Sequence, residues 1–201
     1  IPCVQAPGES EAQTAFMARE EDIWCAASQD YDSLLYGAPR YVRNLSVTGR
    51  RKLPGKNVYI KIEPELFEFQ RVLSQLEVTR EQLVDIGILI GTDYNPKGIK
   101  GIGPKTALKL IQEHKDINKA LEQIENAEFP HPVDEIKDLF LNPRVTYDYE
   151  LEWEKPDTAA IIGFLCGKLD FSQSRVMSAI EKMNKGFKIT GERTSLDRFF
   201  G

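Results

Sequence analysis

The chain has 201 residues, 41% hydrophobic and 28% charged, a balance that excludes a disordered tail or a fibre and suits one core with a small appendage. A formal net charge of −5 argues against a nucleic-acid binder only until the charges are placed along the chain. Residues 1–32 carry seven acids against one base, Arg19, whereas residues 33–62 carry seven bases and no acid; such segregation builds separate cation-binding and anion-binding surfaces.

Ile1 to Gln5 reads as a short buried strand ended by the turn Ala6-Pro7-Gly8, and Ala12, Ala15, Phe16 and Arg19 then keep a helical period through Glu20. A strand at Ile23 to Ser28 completes a compact βαβ unit, which implies parallel strands and a right-handed crossover. Tyr41 to Val47 and Val58 to Ile62 read as further strands, joined by Thr48 to Lys56 as an exposed basic turn. Beyond Glu63 the texture is helical. Pro64 leads into a helix over Glu65 to Leu76, and Thr79-Arg80-Glu81-Gln82 is a capping-box pattern opening a helix through about Ile90. Short helices follow at Lys105 to Glu113 and Ile117 to Ile124, then at Val133 to Leu141, at Asp157 to Cys166 capped by Asp157, and at Ser172 to Lys185 capped by Ser172. The last dozen residues show no helical period. The expected architecture is therefore α/β, a parallel-type βαβ core followed by a helical region.

The three cysteines, Cys3, Cys25 and Cys166, are odd in number and lack CxxC spacing, so neither a disulfide framework nor a zinc knuckle is indicated and a reducing intracellular compartment fits best. The longest apolar run, Ala159 to Gly167, is about half of what a membrane span needs. No signal-peptide pattern precedes Ile1, and the chain opens on Ile1 inside an expected strand, which points to further protein upstream.

Chemistry concentrates at two places. Asp30 and Asp32 close the second expected strand, where residues two apart point to the same face and aim beyond the carboxyl edge of the sheet. Glu9 and Glu11 follow the first strand at the mouth of a helix, whose positive dipole end favours acids; both converge on one point only if one of them lies in the turn before the helix begins. Either pair alone reads more simply as solvated turn acids and a helix N-terminal acid. Both pairs together, at strand ends of one βαβ unit, need cations to offset their repulsion, and oxygen ligands without nearby His or Cys select hard ions such as Mg²⁺ or Mn²⁺. A fifth acid, Asp93, follows an apolar helix directly.

The second place is the stretch Asn95 to Lys105, whose glycines allow tight turns and close backbone approach, and where the helix start offers amides to a phosphate oxygen. Lys97, Lys100, Lys105 and Lys109 add charge, and Gly101 and Gly103 expose backbone. With no base-reading side chain, such contacts position a duplex without specifying its sequence. A solvated helix–helix turn is the plainer reading of any single glycine pair here.

Taken in order, Ala6-Pro7-Gly8-Glu9-Ser10-Glu11-Ala12, Ser28-Gln29-Asp30-Tyr31-Asp32, Ile90-Gly91-Thr92-Asp93-Tyr94 and the glycine turn resemble the internal and C-terminal nuclease regions of flap endonucleases of the archaeal type. The resemblance covers nearly the whole chain. It implies an internal nuclease region over 1–90, a helix-two-turn-helix and helical region over 91–188, and a flexible tail over 189–201. It further implies that Glu9 and Asp30 bind or bridge a metal pair, with Glu11, Asp32 and Asp93 as direct or water-mediated ligands. Gly98, Ile99 and Ile102 match the carbonyl positions of a K⁺ site, Gly98 standing where some members carry Ser. Leu196, Phe199 and Phe200 match a sliding-clamp box whose usual Gln is Arg193 here. Two further metal carboxylates and a basic helical arch, which family members carry upstream of the first motif, have no counterpart in this chain.

The implied activity is Mg²⁺-dependent, two-metal hydrolysis of 5′ flaps on branched double-stranded DNA in replication and repair, with 5′–3′ exonuclease activity, a sliding clamp as partner, no membrane, and a cytoplasmic or nucleoid location, or a nucleus in a eukaryote. The alternatives are a non-catalytic module that binds DNA and clamp, and a related nuclease acting on gaps or junctions. Cys25, His114 and His131 read as packing or surface residues.

Overall fold

The computed structural model describes residues 2–46, 49–52, 54–124 and 127–200, and the side chains of residues 51 and 187–200 lie outside that description. The chain divides into two compact units. Gln5–Asp148 forms one, and Ile1–Val4 with Tyr149–Gly201 forms the other.

The larger unit runs α1 (Ser10–Arg19), β1 (Ala26–Ala27), α2 (Asp32–Leu35), β2 (Arg40–Arg43), β3 (Gly49–Lys52), β4 (Tyr59–Ile62), β5 (Glu65–Glu68), α3 (Phe69–Leu76), α4 (Arg80–Ile90), α5 (Pro104–His114), α6 (Ile117–Leu121) and α7 (Val133–Leu141). Its three-stranded sheet has the order β1-β2-β5 and is mixed. Ala26 lies opposite Tyr41 in a parallel pair, and Tyr41 lies opposite Phe67 in an antiparallel one.

The mixed sheet corrects the parallel-type expectation. Residues 2–5 take no regular structure, and the second expected strand shrinks to Ala26–Ala27. An apolar segment becomes a strand only where a neighbour completes its backbone ladder, and among the described residues none pairs with 2–5. The expected βαβ unit is thus replaced by a parallel pair, β1 with β2, joined through the short α2.

Two further differences have the same origin. Glu65–Glu68 was expected to be helical, yet it pairs with β2 and the helix starts only at Phe69; tertiary pairing overrides local helix preference. Part of the expected basic turn is strand β3, paired with β4 in a separate two-stranded sheet that sets Arg50 opposite Lys61. Like charges facing each other disfavour such a pair, so no pattern of side chains announced it.

Local signals survive well. Thr79 and Gln82 form the capping box, each side chain bonded to the other's backbone amide. Helix α4 is the centre of the core: its Val84, Ile88 and Leu89 are fully buried and pack with Ile111 of α5, Ile117 of α6 and Phe140 of α7. Buried Gln13 of α1 donates to the Thr146 carbonyl at 2.9 Å and accepts from the Thr146 amide at 2.8 Å, fastening α1 to the end of the unit.

The smaller unit contains α8 (Thr158–Leu165) and α9 (Gln173–Phe200) packed on each other. Asp157 caps α8 by accepting from the Ala160 amide at 2.9 Å. Helix α9 continues to Phe200, past the expected end near Lys185, because Gly186 and Gly191 weaken a helix by only about 1 kcal/mol each and no proline interrupts it. All three cysteines are free, and no helix among the described residues is long and apolar enough to cross a membrane.

One buried ion pair holds α4 to α7. Lys137 Nζ lies 2.7 Å from Asp85 Oδ1, and the Asp85 side chain is 1% exposed. Burial pushes the Asp85 carboxyl up, and Lys137 opposes that shift. Removing one partner of such a pair leaves an uncompensated buried charge, so Lys137→Met should destabilise the chain by about 3 kcal/mol, and Asp85→Asn on top should restore part of the loss. Urea unfolding of the three proteins measures both steps; an unchanged midpoint in Lys137→Met would exclude the charge argument.

Candidate metal centre and phosphate-binding turn

The five acids singled out in the sequence arrive on three separate segments and line one cavity of about 40 Å³ together with Tyr36 and Tyr94. Glu9 is the N-cap of α1, with extended φ −68° and ψ 136°, while Glu11 sits in the first helical turn. The condition for their convergence, one residue before the helix and one inside it, is therefore met. The Glu11 carboxylate accepts from Ser10 Oγ at 2.8 Å and from Ser28 Oγ at 3.2 Å.

Asp30 and Asp32 converge for a different reason from the one expected. They do not lie on extended chain: Asp30 is in the bend after β1 and Asp32 opens α2. The turn does the aiming. The Asp30 amide donates to Ser28 Oγ at 3.2 Å, so the Ser28 hydroxyl joins the Glu11 carboxylate to the Asp30 backbone.

Asp93 is set by the end of α4. Gly91 follows that helix with φ +124°, a conformation L side chains rarely adopt. Buried Asn95 donates from Nδ2 to the Ile88 carbonyl at 2.7 Å and accepts from Thr92 Oγ1 at 2.6 Å, closing the turn that carries Asp93.

Ser28, Tyr36 and Tyr94 are the site residues that sequence reasoning missed. Tyr94 OH donates to Glu9 Oε1 at 3.5 Å and lies 3.3 Å from Tyr36 OH. Tyr36 is anchored through its backbone, since its carbonyl accepts from both Arg19 and Arg80. Burial raises both phenols, so neither is charged near neutral pH. Tyr94 adjoins Asp93, and Ser28 opens the segment that carries Asp30 and Asp32, which were the available signals; for Tyr36 there was none.

The half-buried Asp32 carboxyl is raised above the usual range, by burial first and then by Asp93, Asp30, Glu11 and Glu9. All four other acids therefore act on it. Among the described residues no three His, Cys, Asp or Glu side chains are grouped closely enough to grip one ion unaided. The donors that line the cavity are all oxygen, a set that suits a hard divalent ion such as Mg²⁺.

The glycine turn lies between α4 and α5. Gly98 has φ +51°, and a Cβ there would fall 2.1 Å from the Ile90 carbonyl oxygen, so this backbone admits only glycine. Ile99 is buried, and its amide donates to the Leu89 carbonyl at 2.9 Å; Ile102 is half-buried. Gly101 has φ +87°, Gly103 is the N-cap of α5, and Pro104 opens that helix. Lys97, Lys100, Lys105 and Lys109 are all exposed. Leu196, Phe199 and Phe200 lie on α9, with side chains outside the described residues.

Comparison with known proteins gives concordant matches. Residues 1–93 match the XPG I-region family model. The chain is 55% identical over 199 residues to Flap endonuclease 1 of Hyperthermus butylicus, covering 98% of this chain and 57% of that protein. Flap endonuclease-1 from Methanococcus jannaschii matches in structure with a TM-score of 0.75 and 42% identity, over 91% of this chain and 52% of that one. Human GEN1 in complex with Holliday junction DNA matches with a TM-score of 0.66 and 25% identity, over 91% of this chain and 48% of that one. The chain thus spans little more than half the length of the curated relatives it matches.

The crowding of carboxylates gives a test independent of activity. An acid whose folded pKa is raised weakens the fold above that pKa, and the penalty disappears as pH falls to the unfolded value. Asp32→Asn should therefore stabilise the metal-free chain by at most about 1 kcal/mol at neutral pH, given the partial exposure of the group, or about 2–4 °C in Tm. The gain should shrink as pH falls through the raised Asp32 pKa toward the ordinary carboxylate range. Thermal unfolding in chelator from acid to neutral pH reads it, and a variant less stable than the parent at neutral pH would refute the penalty that burial and the neighbouring acids place on the Asp32 charge.

Proposed function

We propose that this chain, homologous to flap endonuclease 1 proteins along its whole length, supplies the acid site and the duplex-holding turn of a structure-specific 5′ flap endonuclease acting in DNA replication and repair. The observation that carries the reading is the gathering of Glu9, Glu11, Asp30, Asp32 and Asp93 from three segments around one cavity, on a chain that also exposes a lysine-bearing glycine turn.

In this reading Glu9 and Asp30 bind or bridge the divalent ions, and Glu11, Asp32 and Asp93 hold them directly or through water. Bound Mg²⁺ or Mn²⁺ supplies activation of a water and stabilisation of the leaving oxygen in phosphodiester hydrolysis. The protein's own part is positioning. Ser28 fixes Glu11 relative to Asp30, Tyr94 steadies Glu9, and Asn95 sets the turn beneath Asp93. No side-chain nucleophile is required.

The Gly98, Ile99 and Ile102 carbonyls are proposed to hold K⁺, and Lys97, Lys100, Lys105 and Lys109 with the Gly101 and Gly103 backbone to hold phosphates of the downstream duplex. Such contacts carry no base information, so selection comes from the shape of the branch, and binding weakens steeply with salt. Leu196, Phe199 and Phe200 are proposed as the sliding-clamp anchor. The GEN1 likeness keeps a junction nuclease in view, but the far higher identity to flap endonucleases favours the flap substrate.

The deciding experiment is cleavage of end-labelled 5′-flap, gapped and Holliday-junction DNA by this chain, with Mg²⁺ and with chelator, beside binding titrations on the same DNAs. Mg²⁺-dependent flap cutting means that the five acids here suffice for a working site, and binding without cutting means that this chain is the DNA-holding part of a nuclease whose other carboxylates lie elsewhere; cutting of junctions alone, or neither cutting nor binding, would overturn the reading. Asp30→Asn and Asp93→Asn should each lower cleavage by at least about a hundredfold while duplex affinity changes less than about threefold; full activity in both would remove the metal assignment. Lys105→Ala should weaken duplex binding on every sequence and reduce the salt slope by about 1, and an unaltered slope would take the turn off the DNA surface.

A further inference from the structure

Beside the acid cavity lies a second and larger one of about 490 Å³, which shares Asp30, Asp32 and Asp93 in its lining but is otherwise mostly apolar. Its walls include Leu35 of α2, Leu83, Ile86 and Ile90 of α4, and Pro96 of the glycine turn, and Tyr31 also lines it. The metal site does not use these side chains.

Tyr31 is 47% exposed yet held firmly. Arg43 stands over its ring at 4.8 Å and donates from Nη1 to its hydroxyl at 2.8 Å. The same guanidinium donates from Nε to the Gln29 carbonyl at 3.0 Å, which ties Tyr31 to the loop carrying Asp30. Phe67 meets the ring edge-on, with centroids 5.8 Å apart. An aromatic fixed in this way loses little conformational freedom when something stacks on it.

The chemistry lining the groove selects the occupant. Three of its carboxylates also line the cation site, and Pro96 is next in sequence to exposed Lys97 and the glycine turn. With cations held at the acids, this lining suits a ligand that joins an anion to an apolar, stackable body, which is a nucleoside within a DNA strand. The volume lies in the range of small-molecule sites. Aromatic platforms take any base, because every base has a π face.

We propose that this groove is the subsite for the deoxynucleoside adjoining the phosphodiester at the acid site, with Tyr31 as its stacking platform. Tyr31 acts as a positioning residue: it orients the strand and takes no part in bond making. The proposal rests on the nuclease reading for what sits at the acids, and its test is base dependence of binding, which that reading does not by itself require.

The experiment measures affinity of this chain for 5′-flap DNA in Ca²⁺ in place of Mg²⁺, with an abasic residue at each of the two positions on either side of the branch point in turn. At one position removal of the base should weaken binding by about tenfold. Tyr31→Ala should lose a similar factor on intact DNA and less than twofold on DNA abasic there, while Tyr31→Phe should behave as the parent. No base dependence at any position in the parent, or an equal loss from Tyr31→Ala on intact and abasic DNA, overturns the subsite. The parent measurement alone decides if Tyr31→Ala fails to fold. Base dependence without Mg²⁺-dependent cleavage upholds the subsite and overturns only self-sufficient cutting by this chain; cleavage without base dependence overturns the subsite and upholds the catalytic reading; and no DNA binding overturns both.

Discussion

Repulsion among five carboxylates gathered around a cavity of about 40 Å³ is the constraint on which the larger unit depends. Nothing in the acids themselves keeps them together, so the scaffold must. It does so at three anchors: the N-terminus of α1, fastened through Gln13 to Thr146; the loop after β1, tied by the Ser28 hydroxyl; and the turn after α4, closed by Asn95. Each anchor is a hydrogen bond to backbone or between side chains that brings no further charge to the cavity. The Asp32 carboxyl is raised by burial first and then by its four acid neighbours, so repulsion acts inside this frame beside the cost of burial. A site that stores such repulsion lowers stability in exchange for function, and the buried apolar packing around α4 offsets it.

How much of this was legible in the sequence follows from the range of the interactions involved. The capping box of Thr79 and Gln82, the bounds of α7 and the Asp157 cap depend on residues within a few positions, and each was readable. Strands β3 and β5 exist because distant segments pair with them, and Arg50 opposite Lys61 runs against any local preference. The acid site was readable in its members and only partly in its construction. Glu9 and Glu11 converge as helix mouth geometry requires, whereas Asp30 and Asp32 converge through a turn into α2. Tyr36 and Tyr94 meet across 58 positions of sequence, a contact no pattern of residue types could announce.

Arg80 shows how the core reaches the site. Its guanidinium donates to the carbonyls of Leu35, Tyr36 and Phe140. One side chain at the start of α4 thereby joins the end of α2 to the end of α7 and fixes the backbone from which Tyr36 enters the cavity. Three carbonyls satisfied at once offset the burial that lowers the Arg80 pKa. A lysine could not reproduce this, having neither the planar fork nor the spread of donors.

The acid site and the lysine turn look like separate devices, but both are mounted on the last turn of α4. The Ile88 carbonyl accepts from Asn95, the Leu89 carbonyl accepts from the Ile99 amide, and the Gly98 backbone lies so close to the Ile90 carbonyl that no side chain fits between them. Carbonyls left open at a helix end are thus covered by the following turn, and that turn carries Asp93 at its start and exposed Lys97 and Lys100 beyond it. A shift of the turn relative to α4 would break these bonds at the same time as it moved both devices. The spacing between the exposed lysines of the turn and the acids of the cavity is therefore set by helix capping, and in the proposed reading that fixed length is what a bound strand meets.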